Sequence, residues 1–325
     1  MNAARYIGLI IPALAISALP LRAASTGHFE RTLQVSGPVD LEVTSGSGNI
    51  TVRTGGSGTV SVSAKIHASN SWLFGSGDAE AKIRRIEQNP PVEQHGNTIH
   101  IGRFEDRDLT RNISIDYELT VPAQTKLSSQ TGSGDQTIAG VQLPLTAKTG
   151  SGNVIVNDVT GDARISSGSG DLKINNVKGG LHAETGSGNI DAEGIAGEAV
   201  ATAGSGNVEV HQVAAGDIKV ETGSGNVKLH GIKGGLRAST GSGDIQAEGE
   251  ATHDWRLGAG SGNITLRLPA QASFDLDART SSGTLRLNRP VSTQGTISKN
   301  HVQGKVGNGG VILDVHTGSG DIALD

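Results

Sequence analysis

The chain has 325 residues, enough for one large domain or two ordinary ones. Its 48 Gly and only 2% Phe, Trp and Tyr exclude a wide interior, so any core must be thin and built of Val, Ile, Leu, Ala and Thr. A formal charge of −5 gives no electrostatic footprint for nucleic acid, and the lack of Cys excludes both a disulfide framework and a lipid-attachment site.

Residues 1–24 read as a secretory signal peptide. Arg5 gives a positive start, Ile7 to Leu19 form an apolar run broken by Pro12, and Ala23, Ala24 and Ser25 offer a cleavage zone. The run is short for a membrane span, so no transmembrane segment is expected after cleavage. Residues 25–325 are expected to form one β-solenoid domain.

Strand-like alternation runs through "FERTLQVSGPVDLEVTSGSGNITVRTGGSGTVSVSAKI", ending at Ile66. The stretch 77–90, "GDAEAKIRRIEQNP", then changes period. Ala79, Ile83 and Ile86 fall on one helical face, with Asp78 as N-cap and Pro90 as the stop. A hairpin around Gly96-Asn97 is predicted in 91–102, followed by a charged loop, "FEDRDLTRN" (104–112). Together these predict a helix-and-hairpin insertion, about 69–112, bulging from a solenoid that resumes near Ile113. It carries Trp72, Leu73 and Phe74, the candidate contact patch, for which packing as an end cap is the competing role.

Gly-Ser-Gly followed by Asn or Asp occurs eleven times, and from Gly132 its starts advance by 18, 18, 18, 18, 19, 18 and 19 residues. That period marks a solenoid, most regular over 130–265. Within a coil, the inward template sits at +1, +3, +6, +10, +12 and usually +14 from the Asn or Asp. One coil supplies Leu172, Ile174, Val177, Leu181, Ala183 and Thr185. The predicted fold is all-β, a right-handed parallel β-helix with two short strands and two bends per turn. About ten coils at ~4.8 Å would make a rod roughly 45–50 Å long. The Gly-Ser-Gly-Asn/Asp motif reads as the bend itself. Gly suits positive φ, and Asn and Asp tolerate that region and bond nearby backbone. Calcium would need several carboxylates or carbonyls per ion, and no second Asp follows at fixed spacing. The stretch 268–311 reads as a longer coil, and the chain stops at "GSGDIALD" with no evident cap.

Two segments share an order of strand, Leu/Val-Pro-Ala, strand and Ser-Gly turn: "YELTVPAQTKLSSQTGSGDQTIAG" (117–140) and "ITLRLPAQASFDLDARTSSGTLRL" (264–287). With the signal peptide and the helical "EAKIRRIEQ", the chain resembles the bacterial putative-adhesin family, a domain of unknown function. The resemblance covers most of the chain after the signal. It implies a right-handed β-helix in the cell envelope and no known catalytic residues.

If coils stack in register, equivalent outward positions form columns. One runs Asn157, Asn175, Glu193, His211, His230, Glu248, Arg267. Its members Glu193, His211, His230 and Glu248 are the candidate metal ligands, with an ordinary polar face as the alternative. A second column, Arg164, His182, Val200, Lys219, Arg237, Arg256, could grip an anionic polysaccharide or lipopolysaccharide. Its flanks carry Asp162, Glu198, Asp217 and Asp254 on one side and Glu184 and Glu221 on the other. Mutual cancellation is therefore the expectation. Sugar-cleaving clefts want aromatic platforms and clustered carboxylates; Asp275 and Asp277 read as outward without visible partners, and no hydrolase, P-loop or zinc-protease motif occurs. The expectation is thus an exported, non-enzymatic adhesive or structural module of the periplasm, outer surface or exterior. No cofactor is expected, and its partners would be envelope glycans or surface proteins. A carbohydrate-active enzyme, lyase or hydrolase, is the alternative.

Overall fold

The computed structural model describes residues 26–68, 76–293 and 298–325. The signal segment and Trp72, Leu73 and Phe74 lie outside them. Among the described residues, 26 strands join into one continuous sheet, accompanied by helix α1 (Ser76–Gln88) and one 3-10 turn.

Parallel pairing at the repeat spacing builds the body. On one face, Leu181–Ser187 lies between Ala163–Ser169 and Ala199–Ser205, with Ala183 opposite Ile165 and Ala201. On the other face, Ile190–Ile195 lies between Leu172–Val177 and Val208–Gln212. Alternation then places one side of each strand inside, where Leu172, Ile174, Val177, Leu181, Ala183 and Thr185 are all buried. Trp255, the one large aromatic in the regular coils, is also inside, its indole N–H donating to the carbonyl of Gly234 at 2.9 Å.

The corner "TGSGN" is built by contacts between coils. In the Thr185–Asn189 copy, the buried Thr185 hydroxyl donates to the carbonyl of Gly170 in the preceding coil at 2.9 Å. A Cβ on Gly186 would lie 2.5 Å from the carbonyl oxygen of Gly168. Gly188 has φ +157°, and a Cβ there would overlap the Gly170 carbonyl, so stacking and dihedral both demand glycine. The Ser187 carbonyl accepts from the N–H of Gly170 at 3.0 Å. Asn189 itself does not take positive φ; its Oδ1 accepts the backbone N–H of Asn207 in the next coil at 3.0 Å.

That last bond recurs as an unbroken chain of eleven, each between 2.7 and 3.0 Å. In spatial order it runs Asp116, Asn49, Asp135, Asn153, Asp171, Asn189, Asn207, Asn226, Asp244, Asn263, Asp321, Thr284. Asn and Asp serve equally because each offers one oxygen on the same short stem. No two Asp are neighbours along it, so carboxylates stay at least two strand spacings apart, roughly 10 Å. A parallel file of buried hydroxyls, Thr131, Thr149, Ser167, Thr185, Thr222, Thr240, Thr317 and Thr280, donates to the glycine carbonyl of a neighbouring coil at 2.9–3.0 Å. Ala203 and Ala259 leave gaps in that file.

The ends depart from a purely parallel, sequence-ordered helix. At one end Thr59–Ala68 pairs antiparallel with both Ile113–Pro122 and Thr26–Gln34, and α1 packs against the two outer strands with Ile83 and Ile86 buried. The helix and hairpin appear where the periodicity predicts them. However, Thr98–Ile101 of the hairpin joins Val39–Ser47 in parallel, so it lengthens the stack instead of bulging from it. Asp78 lies within the first turn of α1, where its charge suits the helix dipole, rather than at the N-cap. Residues 76–78 of the Gly-Ser-Gly-Asp copy ending there open the helix and form no coil corner. At the opposite end the expectation of a bare terminal coil is overturned. Val311–Ser319 inserts between Ile245–Ser261 and Phe274–Ser282, and Ile322–Leu324 inserts between Ile264–Arg267 and Leu285–Leu287. The coil latest in sequence is internal, and His301–Val306 closes the stack antiparallel on Phe274–Ser282. Thr284, in "SSGT" where other corners carry Asn or Asp, ends the oxygen chain.

Candidate functional site

Register turns the outward positions into true columns. Glu193 lies opposite His211, and His211 opposite His230. The two imidazoles meet edge to face with centroids 6.5 Å apart, and His230 Nδ1 is 3.7 Å from a Glu248 carboxylate oxygen. These four candidate ligands thus run along the stacking direction. Among the described residues, no group of three or more His, Asp or Glu is arranged to hold a metal ion. The column Lys173, Asp191, Glu209, Lys228 is likewise in register.

The basic column is continuous on the other face, Arg164 to His182 to Val200 to Lys219 to Arg237 to Arg256. Its flanking acids do not all face it. The Asp162 and Asp217 carboxylates accept the backbone N–H of Gly180 at 2.9 Å and of Gly235 at 2.7 Å. Asp254 accepts that of Ile312 at 3.0 Å. Asp314, on the rung after Arg256, lies 3.4 Å from Arg279. Lys219 pairs with Glu221 at 3.0 Å, whereas Arg237 and Arg256 have no ion pair among the described residues. The pairing expected from the sequence is direct for Lys219, whereas the two arginines have no acid within ion-pair distance among the described residues.

Beside this column the surface dips. One hollow of about 660 Å³ is bordered by Lys219, its partner Glu221, Arg237, Arg256 and His316, and lined between them by Ser239 and Gly258. A second, of about 590 Å³, lies across the same three cations under the bulged corner Thr252–Asp254. Sequence reading missed these hollows. The signal for the first is two small residues in succession, Ser239 and Gly258, after the column Ser166, Glu184, Thr202, Glu221.

Asp277 is not partnerless: it receives His301 Nε2 at 3.0 Å and Arg279 at 3.7 Å, which tie the closing strand to the stack. Asp275 Oδ1 is buried with no hydrogen-bond partner among the described residues. At the far end, the Tyr117 hydroxyl is equally unpartnered, and burial pushes its pKa well above the ordinary phenol value. No described helix is long and apolar enough to cross a membrane.

A family model described as Toastrack DUF4097 matches residues 36–200 and, a second time, 195–325. The chain belongs to this family. The two Toastrack DUF4097 matches meet inside the regular coils, so each takes in one irregular end and part of the repeat. Among solved structures, the chain is similar to a putative adhesin of Bacteroides fragilis NCTC 9343, at 15% identity and a TM-score of 0.37, over 92% of this chain and 97% of that one. It is also similar to a putative cell adhesion protein of Clostridium sporogenes ATCC 15579, at 11% identity and a TM-score of 0.18, over 91% and 98%. Comparison with curated proteins finds no match.

Proposed function

We propose that this Toastrack DUF4097 protein is exported by its leader, residues 1–24, and that residues 25–325 act as one right-handed solenoid. It serves without catalysis as a rigid module making contacts in the cell envelope or outside it. Envelope glycans or surface proteins are the partners in this reading. The observation that supports it most is how the repeat is used. Thr, both Gly and the Asn or Asp of the corner are each committed to a neighbouring coil, which makes the motif scaffold and leaves the outward columns free to vary.

Incubation of the leader-free protein with immobilised envelope glycans, with the supernatant assayed for new reducing ends, tests the reading. Retention without release of product supports contact; new reducing ends would replace it with a carbohydrate-active enzyme. For export, the mass of the mature N-terminus in periplasmic and culture fractions decides. An intact Met1 confined to the cytosol would remove that part.

A further inference from the structure

We infer that the hollow between Lys219, Arg237, Arg256 and His316 is a binding site for an acidic glycan chain, a sugar polymer bearing carboxylate or sulfate groups. The inference deepens the contact reading by naming a ligand class, and it rests on that reading only for where the ligand would be met.

Four observations converge on this place. Lys219, Arg237 and Arg256 occupy consecutive rungs in register, so three cations follow one another at the strand spacing of ~4.8 Å. Two of the three are unpaired arginines, whose planar forks match a carboxylate or sulfate with two parallel hydrogen bonds. Glu221, the one acid lining the hollow among the described residues, is taken up by Lys219 at 3.0 Å. Asp217 and Asp254 are turned to backbone N–H groups and Asp314 on the next rung to Arg279, so the two arginines carry the free charge. The floor is low because Ser239 and Gly258 stand in the adjacent column. A Cβ on Gly258 would lie 2.8 Å from the His316 ring, so glycine is what lets that imidazole lie across the floor as a further donor.

The shape narrows the ligand. The cations form a line along the stacking axis rather than a single pocket, which suits an extended chain with charges recurring on successive rings. The hydroxyl of Ser239 and the exposed edge of the floor suit sugar hydroxyls. Among the described residues the site has no aromatic platform of the kind used for neutral sugars, so recognition is carried by charge and weakens as salt rises.

The test is calorimetric titration of the leader-free protein with a polygalacturonate oligomer, a heparin oligosaccharide and a neutral dextran oligomer of similar length. Binding of one or both acidic chains is expected, with dextran at least tenfold weaker. Which acidic chain binds tighter identifies carboxylate or sulfate as the recognised group. Arg237→Gln with Arg256→Gln should weaken acidic-chain binding at least tenfold while circular dichroism stays unchanged. Arg164→Gln, in the same column but outside the hollow, should leave it within twofold. Absence of acidic-chain binding, an unaffected double variant, or an equal loss from Arg164→Gln would each overturn the inference. Retention on immobilised envelope glycans together with no acidic-chain binding would sink this site while leaving the contact reading intact.

Discussion

The spacing of carboxylates along the corner chain of oxygens predicts the behaviour of two near-identical substitutions. Asn153→Asp keeps an acceptor for the Asp171 N–H and leaves its own N–H on Asp135, but it sets three carboxylates on consecutive rungs. Asn207→Asp keeps the same bonds between Asn189 and Asn226, with no carboxylate on either adjacent rung. Both positions are exposed, so the water dielectric applies. Two charges ~4.8 Å apart then repel by about 0.9 kcal/mol, so the two new pairs in Asn153→Asp cost about 1.7 kcal/mol unscreened. Screening lowers this to about 1 kcal/mol at 0.15 M salt and about 0.3 kcal/mol at 1 M. Urea unfolding at pH 7 across that salt range measures it, as the difference between the two variants. The gap should close with salt and also as pH falls through the carboxylate range near 4, where the charges disappear. Equal stability of the two variants at low salt, or a gap indifferent to salt and pH, would refute the role assigned to the Asn and Asp order.

Three further outcomes follow from the same contacts. Thr185→Ala strands the Gly170 carbonyl and should cost about 1–2 kcal/mol in urea unfolding, whereas Ala203→Thr fills a gap in the same file and should add up to about 1 kcal/mol. Tyr117→Phe removes a buried hydroxyl that has no partner among the described residues, so it should leave stability unchanged or slightly raised; a loss above about 1 kcal/mol would show that the hydroxyl is bonded after all. Hydrogen bonds from the Thr284 hydroxyl and N–H hold the Asp321 carboxyl below its ordinary pKa. Its contribution to stability is thus present above the unfolded carboxylate pKa and lost as pH falls through the lower folded value. Thr284→Val should move the Asp321 titration, read by NMR, back toward the ordinary value.

The coil cross-section was legible in the sequence because its signals are local. Alternation of two placed Leu172, Ile174, Leu181 and Ala183 inside, and the change of period at 77–90 located α1. The use of Asn189 was not legible, because its partner is a backbone N–H eighteen residues away in the next coil, a contact that no local conformational preference encodes. The order of the coils was hidden for a different reason. Every coil presents the same edge, so "TGSGD" at 317–321 fits against "AGSGN" at 259–263 as well as against "TSSGT" at 280–284, and in the fold it meets both. Thr284 was a readable clue, since its hydroxyl oxygen sits one bond nearer the backbone than the Asn or Asp Oδ1 that receives the next N–H, and here it donates back to Asp321. At the candidate site, the column of cations was visible from spacing. What its flanking acids face depended on backbone donors that sequence does not place.

The insertion of Val311–Leu324 between earlier segments has a bearing on how the molecule is made. Residues 274–287 are synthesised before the strands that must separate them from Ile245–Arg267, so they have no correct seat until the later segment emerges. Once Ile113–Pro122 has taken its seat between Ile50–Gly55 and Thr59–Ala68, a chain delivered from its N-terminus can zip up turn by turn from about residue 125 to about residue 267, and then has to wait. Val311–Leu324 works like the keystone of an arch, set after the stones on both sides. A nick or deletion in it should loosen the whole closing end, including strands whose own sequence is untouched.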